Sequence, residues 1–224
     1  MLRMARQPRP LFPHALYHLV NRGNYRRDVF TSTGTRSAFL EALAEACTRH
    51  HWRVHAYVIM RNHFHLALET PEPNLSTGMH WLLGTFANRF NRLRGHLFQG
   101  RFSAQLIEDV TALGRVVDYI HLNPVRAALV AAAGSFAWSS LAVLPSASVP
   151  VWLVAEGIWA RFGTEQSELA WSRYAAYLAA VAASQEMQEQ LGFPTLSRGW
   201  VIGTESGTEV MARRHAALAL SPGV

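Results

Sequence analysis

The chain has 224 residues, 50% of them hydrophobic, and a formal net charge of +6. This is enough for one domain with a buried core and an appendage, and no apolar stretch reaches the roughly 18 residues of a membrane span, which excludes disordered and membrane-spanning classes. A single cysteine, Cys47, excludes an intramolecular disulfide framework. Residues 1–13 lack the apolar segment of a secretory signal, so we expect a cytoplasmic protein.

The positive charge is unevenly distributed. All 21 basic side chains are arginine, and residues 1–130 carry a net charge of +8 whereas residues 131–224 carry −2. Genomic base composition can account for an arginine-only chain, but guanidinium groups also bind phosphate oxygens as a planar fork. The distribution predicts that residues 1–130 face a polyanion.

Hydrophobic periodicity predicts six elements in the order strand, helix, strand, helix, strand, helix. They cover residues 16–22, 37–50, 54–69, 76–95, 102–107 and 116–123. We place the end of the last helix at Asn123 because a residue before proline avoids the helical region. This order predicts an α+β fold with helices on one face of an antiparallel sheet, whose other face is free for a ligand.

The residues after this core predict an appended helical region. Small, serine- and proline-containing connectors are followed by an acidic helical segment over residues 166–190. We therefore divide the chain into a domain over residues 1–130 and a helical extension over residues 131–224. The role of the extension is open between positioning DNA, masking a site and dimerisation, and a monomer and a homodimer are both compatible with the sequence.

Two histidines lie in the third predicted element. In a strand, His63 and His65 point to the same face while Phe64 and Leu66 point to the other, so one face can be core and the other a metal site. The alternative is that both histidines decorate the exposed face of an edge strand. His18, in the first strand, lies either beside such a site or in the core.

A tyrosine in the last helix adds a nucleophile to this pair. Tyr119 and Asn123 are four residues apart, along the edge of the apolar stripe, where a side chain can reach the sheet. Together with His63 and His65, Tyr119 suggests metal-assisted cleavage of a nucleic-acid strand. The alternatives are that Tyr119 flanks the core with its hydroxyl in water and that Asn123 only terminates the helix.

Four blocks of the chain resemble the signature blocks of the REP-associated tyrosine transposases, which belong to the single-tyrosine HUH superfamily. They are YHLVNRGN at residues 17–24, AYVIMRNHFHL at 56–66, GHLFQGRF at 95–102 and YIHLNPVRA at 119–127. The resemblance covers residues 15–130 in the same order. The Asn-Pro pair after the tyrosine is more similar to this branch than to the mobile insertion-sequence branch.

The resemblance implies a ferredoxin-like fold and a metal-dependent endonuclease and strand transferase that acts on single-stranded DNA, as a hairpin with single-stranded flanks. Tyr119 would form a 5′-phosphotyrosine. His63 and His65 would hold Mg²⁺ or Mn²⁺, with the amide oxygen of Asn123 as third ligand; His121 is the alternative third ligand. Two imidazoles suit Mn²⁺ better than Mg²⁺.

Five arginines are candidate phosphate contacts. Arg22, Arg61 and Arg101 lie in the family-like blocks, whereas Arg89 and Arg92 could equally form a solvated helix face.

Two other classes of protein remain open. A non-catalytic nucleic-acid-binding module with an RRM-like sheet would explain the basicity, and a zinc hydrolase would explain the histidines but leave the tyrosine without a role.

Overall fold

The structure is a computed structural model that describes residues 10–90, 96–146, 148–162, 168–196, 199 and 201–203. Its centre is a five-stranded sheet in the order β2-β3-β1-β4-β5. The strands are β1 Ala15–Arg22, β2 Arg53–Ile59, β3 His63–Thr70, β4 Ser103–Ile107 and β5 Val201–Ile202. The first four strands pair antiparallel, and β5 pairs parallel with β4.

Seven α-helices surround the sheet in the described part of the chain. They are α1 Thr33–His50, α2 Leu75–Phe90, α3 Val110–Arg126, α4 Ser140–Val143, α5 Glu156–Phe162, α6 Glu168–Ala183 and α7 Gln185–Gln190. The α+β class and the helical extension are confirmed. Within the described residues, no helix combines the length and apolarity needed to cross a membrane.

Helices cover both faces of the sheet. Phe64 of β3 contacts Phe39 of α1, with ring centroids 4.6 Å apart, and α2 joins this face through Phe86. The next residue, His65, points the other way and contacts Tyr119 of α3. The expected one-sided arrangement thus holds for α1 and α2, while α3 lies against β2 and β3 on the second face because its own apolar stripe needs a partner. The space predicted for a ligand is therefore limited to the part of that face that α3 leaves uncovered.

The predicted strand over residues 54–69 is wrong as a single element, because it is a hairpin of β2 and β3. The Met60 N–H donates to the His63 carbonyl at 2.8 Å and closes the turn. Both strands are apolar on either side of Arg61 and Asn62, so hydrophobic alternation does not mark the break. As a result His63 begins a strand at one end of the sheet, opposite Arg22 of β1.

The predicted end of the tyrosine helix at Asn123 is also wrong. α3 continues to Arg126 with Pro124 inside it. The Ala127 N–H donates to the Asn123 carbonyl at 3.0 Å and the Leu129 N–H donates to the Pro124 carbonyl at 2.9 Å, so carbonyls of the last turn are satisfied. Burial of Asn123 and Pro124 in the fold outweighs the local preference of a residue before proline.

Residues of the extension bind both edges of the sheet. At one edge, the Ile59 N–H donates to the Trp138 carbonyl and the Val54 N–H to the Trp152 carbonyl, both at 2.9 Å. At the other edge lies β5. These contacts satisfy backbone groups that an open edge would expose. The division of the chain at residue 130 stays a prediction, and the predicted end of α2 at Gly95 lies outside the described residues.

Candidate active site

A cleft of about 470 Å³ opens on the sheet face that α3 leaves partly uncovered. Three strands and one helix contribute to it. The lining residues are Val20, Arg22, His63, His65, Ser103, Gln105, Tyr119, Asn123, Arg126 and Ala127. The structure therefore brings together the predicted nucleophile, the three predicted metal ligands and one of the predicted phosphate contacts.

Register and helical spacing place these side chains. In the pairing of β1 with β3, Arg22 lies opposite His63 and Val20 opposite His65, so all four point to the same face. On α3, Tyr119, Asn123 and Arg126 follow each other at intervals of four and three residues, which puts them on one side of the helix. The cleft forms where this side meets the histidine face.

The predicted metal ligands lie close to one another. The rings of His63 and His65 are 5.1 Å apart, and the amide nitrogen of Asn123 lies 3.5 Å from Nε2 of His65. Nitrogen and oxygen of an amide exchange places by a half-turn, so the same position serves the amide oxygen. Within the described residues, no three His, Cys, Asp or Glu side chains are grouped to hold a metal ion. Asn123 is the polar side chain of this cleft that contacts His65 Nε2, which agrees with its predicted position as third ligand.

The donor set fits a divalent cation. Burial, together with the charge of Arg22, lowers the pKa of His63 to about 4. Burial and the neighbouring His18 hold the pKa of His65 well below its usual value. Both imidazoles are thus neutral at pH 7, the form that binds metal. Two imidazole nitrogens and one amide oxygen suit Mn²⁺ and are tolerated by Mg²⁺.

Tyr119 lies directly beside the histidines. Its ring packs edge-on against His65 at 5.8 Å and against His18 at 5.9 Å. The Arg126 guanidinium lies 4.9 Å from the centre of the same ring, and Phe193 of the extension packs edge-on against it at 5.5 Å. Tyr119 thus has a neutral imidazole on one side and a cation on the other.

The cleft is electropositive. Arg22 and Arg126 both contribute a charge, and each lowers the pKa of His65. None of the described residues that line the cleft is acidic. Such a site favours an anionic ligand such as a phosphodiester.

Three predicted phosphate contacts are not brought to the cleft, and a fourth cannot be placed. Arg61 forms an ion pair with Asp28 at 2.6 Å. Arg89 forms a bidentate pair with Glu45, at 2.7 and 2.8 Å. Arg101 lines a separate groove beside α2, and Arg92 lies outside the described residues.

His121, the alternative third ligand, points away from the cleft. Its Nδ1 lies 2.8 Å from the hydroxyl of Tyr174 and its Nε2 lies 2.8 Å from the hydroxyl of Ser140. The ring is fully buried. Both nitrogens are therefore engaged by the extension.

Three further residues of the site are not predicted from the sequence. Arg126 lies two helical turns beyond Tyr119. The prediction ended the helix at Asn123, so it did not place Arg126 on the same side as Tyr119. Gln105 faces the cleft from β4, at a position that the register with His18 fixes. Phe193 comes from the extension, and no local pattern marks its contact with Tyr119.

Comparison with known proteins places the chain in a family. The model of the family described as "Transposase IS200 like" matches residues 12–123, half of the chain. The chain belongs to this family, which confirms the predicted family relationship and supports a DNA-processing function. Among curated proteins, none matches the sequence.

Two solved structures resemble this fold. One is a REP-associated tyrosine transposase bound to a REP hairpin, with a TM-score of 0.56 and 19% identity over 61% of this chain and 82% of the other. The second, described as a transposase from Deinococcus radiodurans, has a TM-score of 0.36 and 20% identity over 45% of this chain and 84% of the other. The first match supports the fold, and the second is too loose to add to it.

Proposed function

We propose that this protein is a metal-dependent single-stranded DNA endonuclease and strand transferase that forms a 5′-phosphotyrosine intermediate on Tyr119. The observation that carries the proposal is the convergence of Tyr119 with His63, His65 and Asn123 in one electropositive cleft. The family supports a transposase, and the hairpin-bound neighbour supports repeat hairpin DNA as the substrate.

The chain supplies the nucleophile and the charge of the site. The Tyr119 oxygen attacks phosphorus, a P–O bond to tyrosine forms and the bond to the 3′ oxygen breaks, so the phenol proton is balanced by a new 3′-hydroxyl. Because one ester replaces another, a second 3′-hydroxyl can reverse the step and join strands. Arg22 and Arg126 are placed to hold phosphate oxygens.

His63, His65 and Asn123 would hold the divalent cation, Mg²⁺ or Mn²⁺. When bound, the cation withdraws charge from the non-bridging phosphate oxygens. With these three side chains as ligands, the cation would keep open positions for the scissile phosphate. We retain Arg61, Arg89 and Arg101 as proposed contacts of the flanking DNA, and Arg92 as a proposed contact outside the described residues.

A covalent adduct tests the nucleophile. The protein is incubated with Mn²⁺ and single-stranded oligonucleotides that form repeat hairpins with flanks, and then denatured. We expect a band of protein joined to DNA in wild type and none in Tyr119→Phe, which lacks the attacking oxygen but keeps the ring. Tyr25→Phe, at a tyrosine 83% exposed, is the matched control and should leave the adduct unchanged.

Two results would count against the tyrosine mechanism. An adduct that persists in Tyr119→Phe would assign the nucleophile elsewhere. Binding without any adduct, for wild type and both variants, would favour the non-catalytic nucleic-acid-binding module.

The metal role is tested by removing one ligand. His63→Ala should abolish adduct formation with Mn²⁺, since two ligands no longer fix the cation, while the melting temperature changes little because His63 lies at the cleft rather than in the apolar core. His51→Ala, at an exposed histidine paired with Glu72, is the control and should retain the adduct. Full activity of wild type in excess chelator would refute metal dependence.

A further inference from the structure

Two chains of polar contacts run from the cleft histidines to backbone carbonyl groups. Behind His65 lie His18 and Gln105, which are 0% and 3% exposed. Behind His63 lies Asn62. Neither chain is part of the cleft chemistry described above, yet each ends on a ring nitrogen of a candidate metal ligand.

The first chain begins at Gln105, whose orientation is fixed by the backbone. Its amide nitrogen donates to the Gly199 carbonyl at 3.3 Å, so its oxygen Oε1 is the atom that faces Nδ1 of His18 at 3.1 Å. An amide oxygen only accepts hydrogen bonds. His18 therefore carries its proton on Nδ1.

The proton on His18 determines the proton on His65. A ring without exposed surface is held neutral by desolvation, so a proton on Nδ1 of His18 leaves its Nε2 as an acceptor. That Nε2 lies 3.0 Å from Nδ1 of His65, which must donate. His65 is left with an open lone pair on Nε2, the atom that faces Asn123.

The second chain gives the same result for His63. The Asn62 amide nitrogen donates to the Arg26 carbonyl at 3.2 Å, and its oxygen therefore accepts from Nδ1 of His63 at 2.6 Å. Nε2 of His63 is the open nitrogen. Two independent contacts with backbone carbonyls thus select the same tautomer in both histidines.

We propose that His18 and Gln105 are positioning residues that fix His65 in the tautomer with an open Nε2. Asn62 does the same for His63. That these histidines bind a metal rests on the proposed function, but their tautomers are a property of the protein alone. Partners of this kind typically contribute 10- to 100-fold to metal affinity, because they set ring orientation and proton position before the metal arrives.

The first test reads the tautomers without metal. Long-range ¹H–¹⁵N spectra of histidine-labelled, full-length protein distinguish a protonated Nδ1 from a protonated Nε2. We expect Nδ1–H in His18, His63 and His65 of wild type. Gln105→Leu removes the acceptor oxygen and should populate the Nε2–H form of His18 and His65. Nε2–H in wild-type His65, or no change in Gln105→Leu, would overturn the proposal.

The second test reads metal affinity. Mn²⁺ is titrated and its free electron paramagnetic resonance signal is measured, with folding checked by circular dichroism. We expect about 10-fold weaker binding in Gln105→Leu and His18→Leu. His50→Leu makes the same substitution at a half-buried histidine of α1 and should change nothing.

These outcomes separate the two proposals. If wild type binds no Mn²⁺, the proposed metal site is refuted. The spectra of the metal-free protein still show whether Gln105 and His18 fix the tautomer of His65. If wild type binds Mn²⁺ and both leucine variants bind it equally well, the positioning role of His18 and Gln105 is refuted although the metal site stands.

Discussion

Two polar faces of α3 differ in how completely their hydrogen bonds are satisfied. On the face turned to the extension, the fully buried carboxylate of Asp118 accepts from Arg161 at 2.8 and 3.1 Å. It also accepts from the hydroxyls of Tyr174 and Tyr177, both at 3.1 Å. On the cleft face, the side-chain amide of Asn123 makes one long contact among the described residues, at 3.5 Å to Nε2 of His65 in β3. A saturated face holds structure together, whereas an open one is available to a ligand.

The two faces also show what the extension does for the cleft. Arg161 belongs to α5 and both tyrosines to α6, so the saturated face fastens the extension to the helix that carries Tyr119. Phe193 adds a contact on the cleft side. The sequence left the role of the extension open. These contacts indicate that it holds α3, the helix of Tyr119, in place.

Breaking the saturated face should give the largest effect on stability. We expect Asp118→Ala to lower the free energy of unfolding by about 3–5 kcal/mol, because a partly buried guanidinium, the buried hydroxyl of Tyr174 and the half-buried hydroxyl of Tyr177 lose their acceptor. Urea unfolding at neutral pH, with the denaturant slope compared between variants, measures this loss.

A surface ion pair provides the control for Asp118. Asp28→Ala removes the partner of Arg61, whose side chain is 72% exposed, and should cost only about 0–1 kcal/mol. Equal losses in the two variants would show that the Asp118 network adds nothing beyond an ordinary surface pair.

A substitution on the open face should instead affect chemistry. We expect Arg126→Ala to slow single-turnover adduct formation by about 100-fold, since one positive group beside the nucleophile and phosphate is lost. The melting temperature should change little, because the lost cation–π contact contributes about 0.5–1 kcal/mol. The rate of adduct formation in Arg126→Lys should lie between those of wild type and Arg126→Ala, since lysine keeps the charge but not the planar fork.

Arg126 acts through the chemical step only if strand affinity survives its removal. Oligonucleotide affinity of Arg126→Ala, measured without metal, should stay within a few-fold of wild type. A loss of affinity as large as the loss of rate would reassign Arg126 to ground-state binding of DNA.

The sequence predicts the cleft face well where periodicity alone decides. Alternation places His63 and His65 on one side of a strand, and helical spacing places Tyr119 and Asn123 together. The core elements β1, α1 and β4 follow from the same patterns. These relations are local, so they need no knowledge of the rest of the fold.

The remaining features depend on distant contacts. Neighbouring residues on α3 face different parts of the protein. Asp118 binds the extension, while Tyr119 faces the cleft. Whether His121 or Asn123 faces the histidines depends on where Tyr174 and Ser140 lie, and no local pattern gives that. The continuation of α3 through Pro124 is likewise a tertiary effect, and it is what adds Arg126 to the site.

The smallest effect should separate an arginine of the cleft from one engaged in an ion pair. Arg22 lines the cleft, whereas Arg53 is already held by Glu69 at 3.2 Å. If Arg22 binds a phosphate of single-stranded DNA, Arg22→Ala should make the slope of log affinity against log salt shallower by about 0.7. Arg53→Ala should leave the slope unchanged, because a guanidinium neutralised by a carboxylate displaces no counterion from DNA. Titrations of a hairpin with flanks and of a blunt duplex at several salt concentrations measure both slopes. Tighter binding of the duplex would contradict single-strand recognition. Equal slopes for wild type and Arg22→Ala would show that Arg22 does not contact a phosphate.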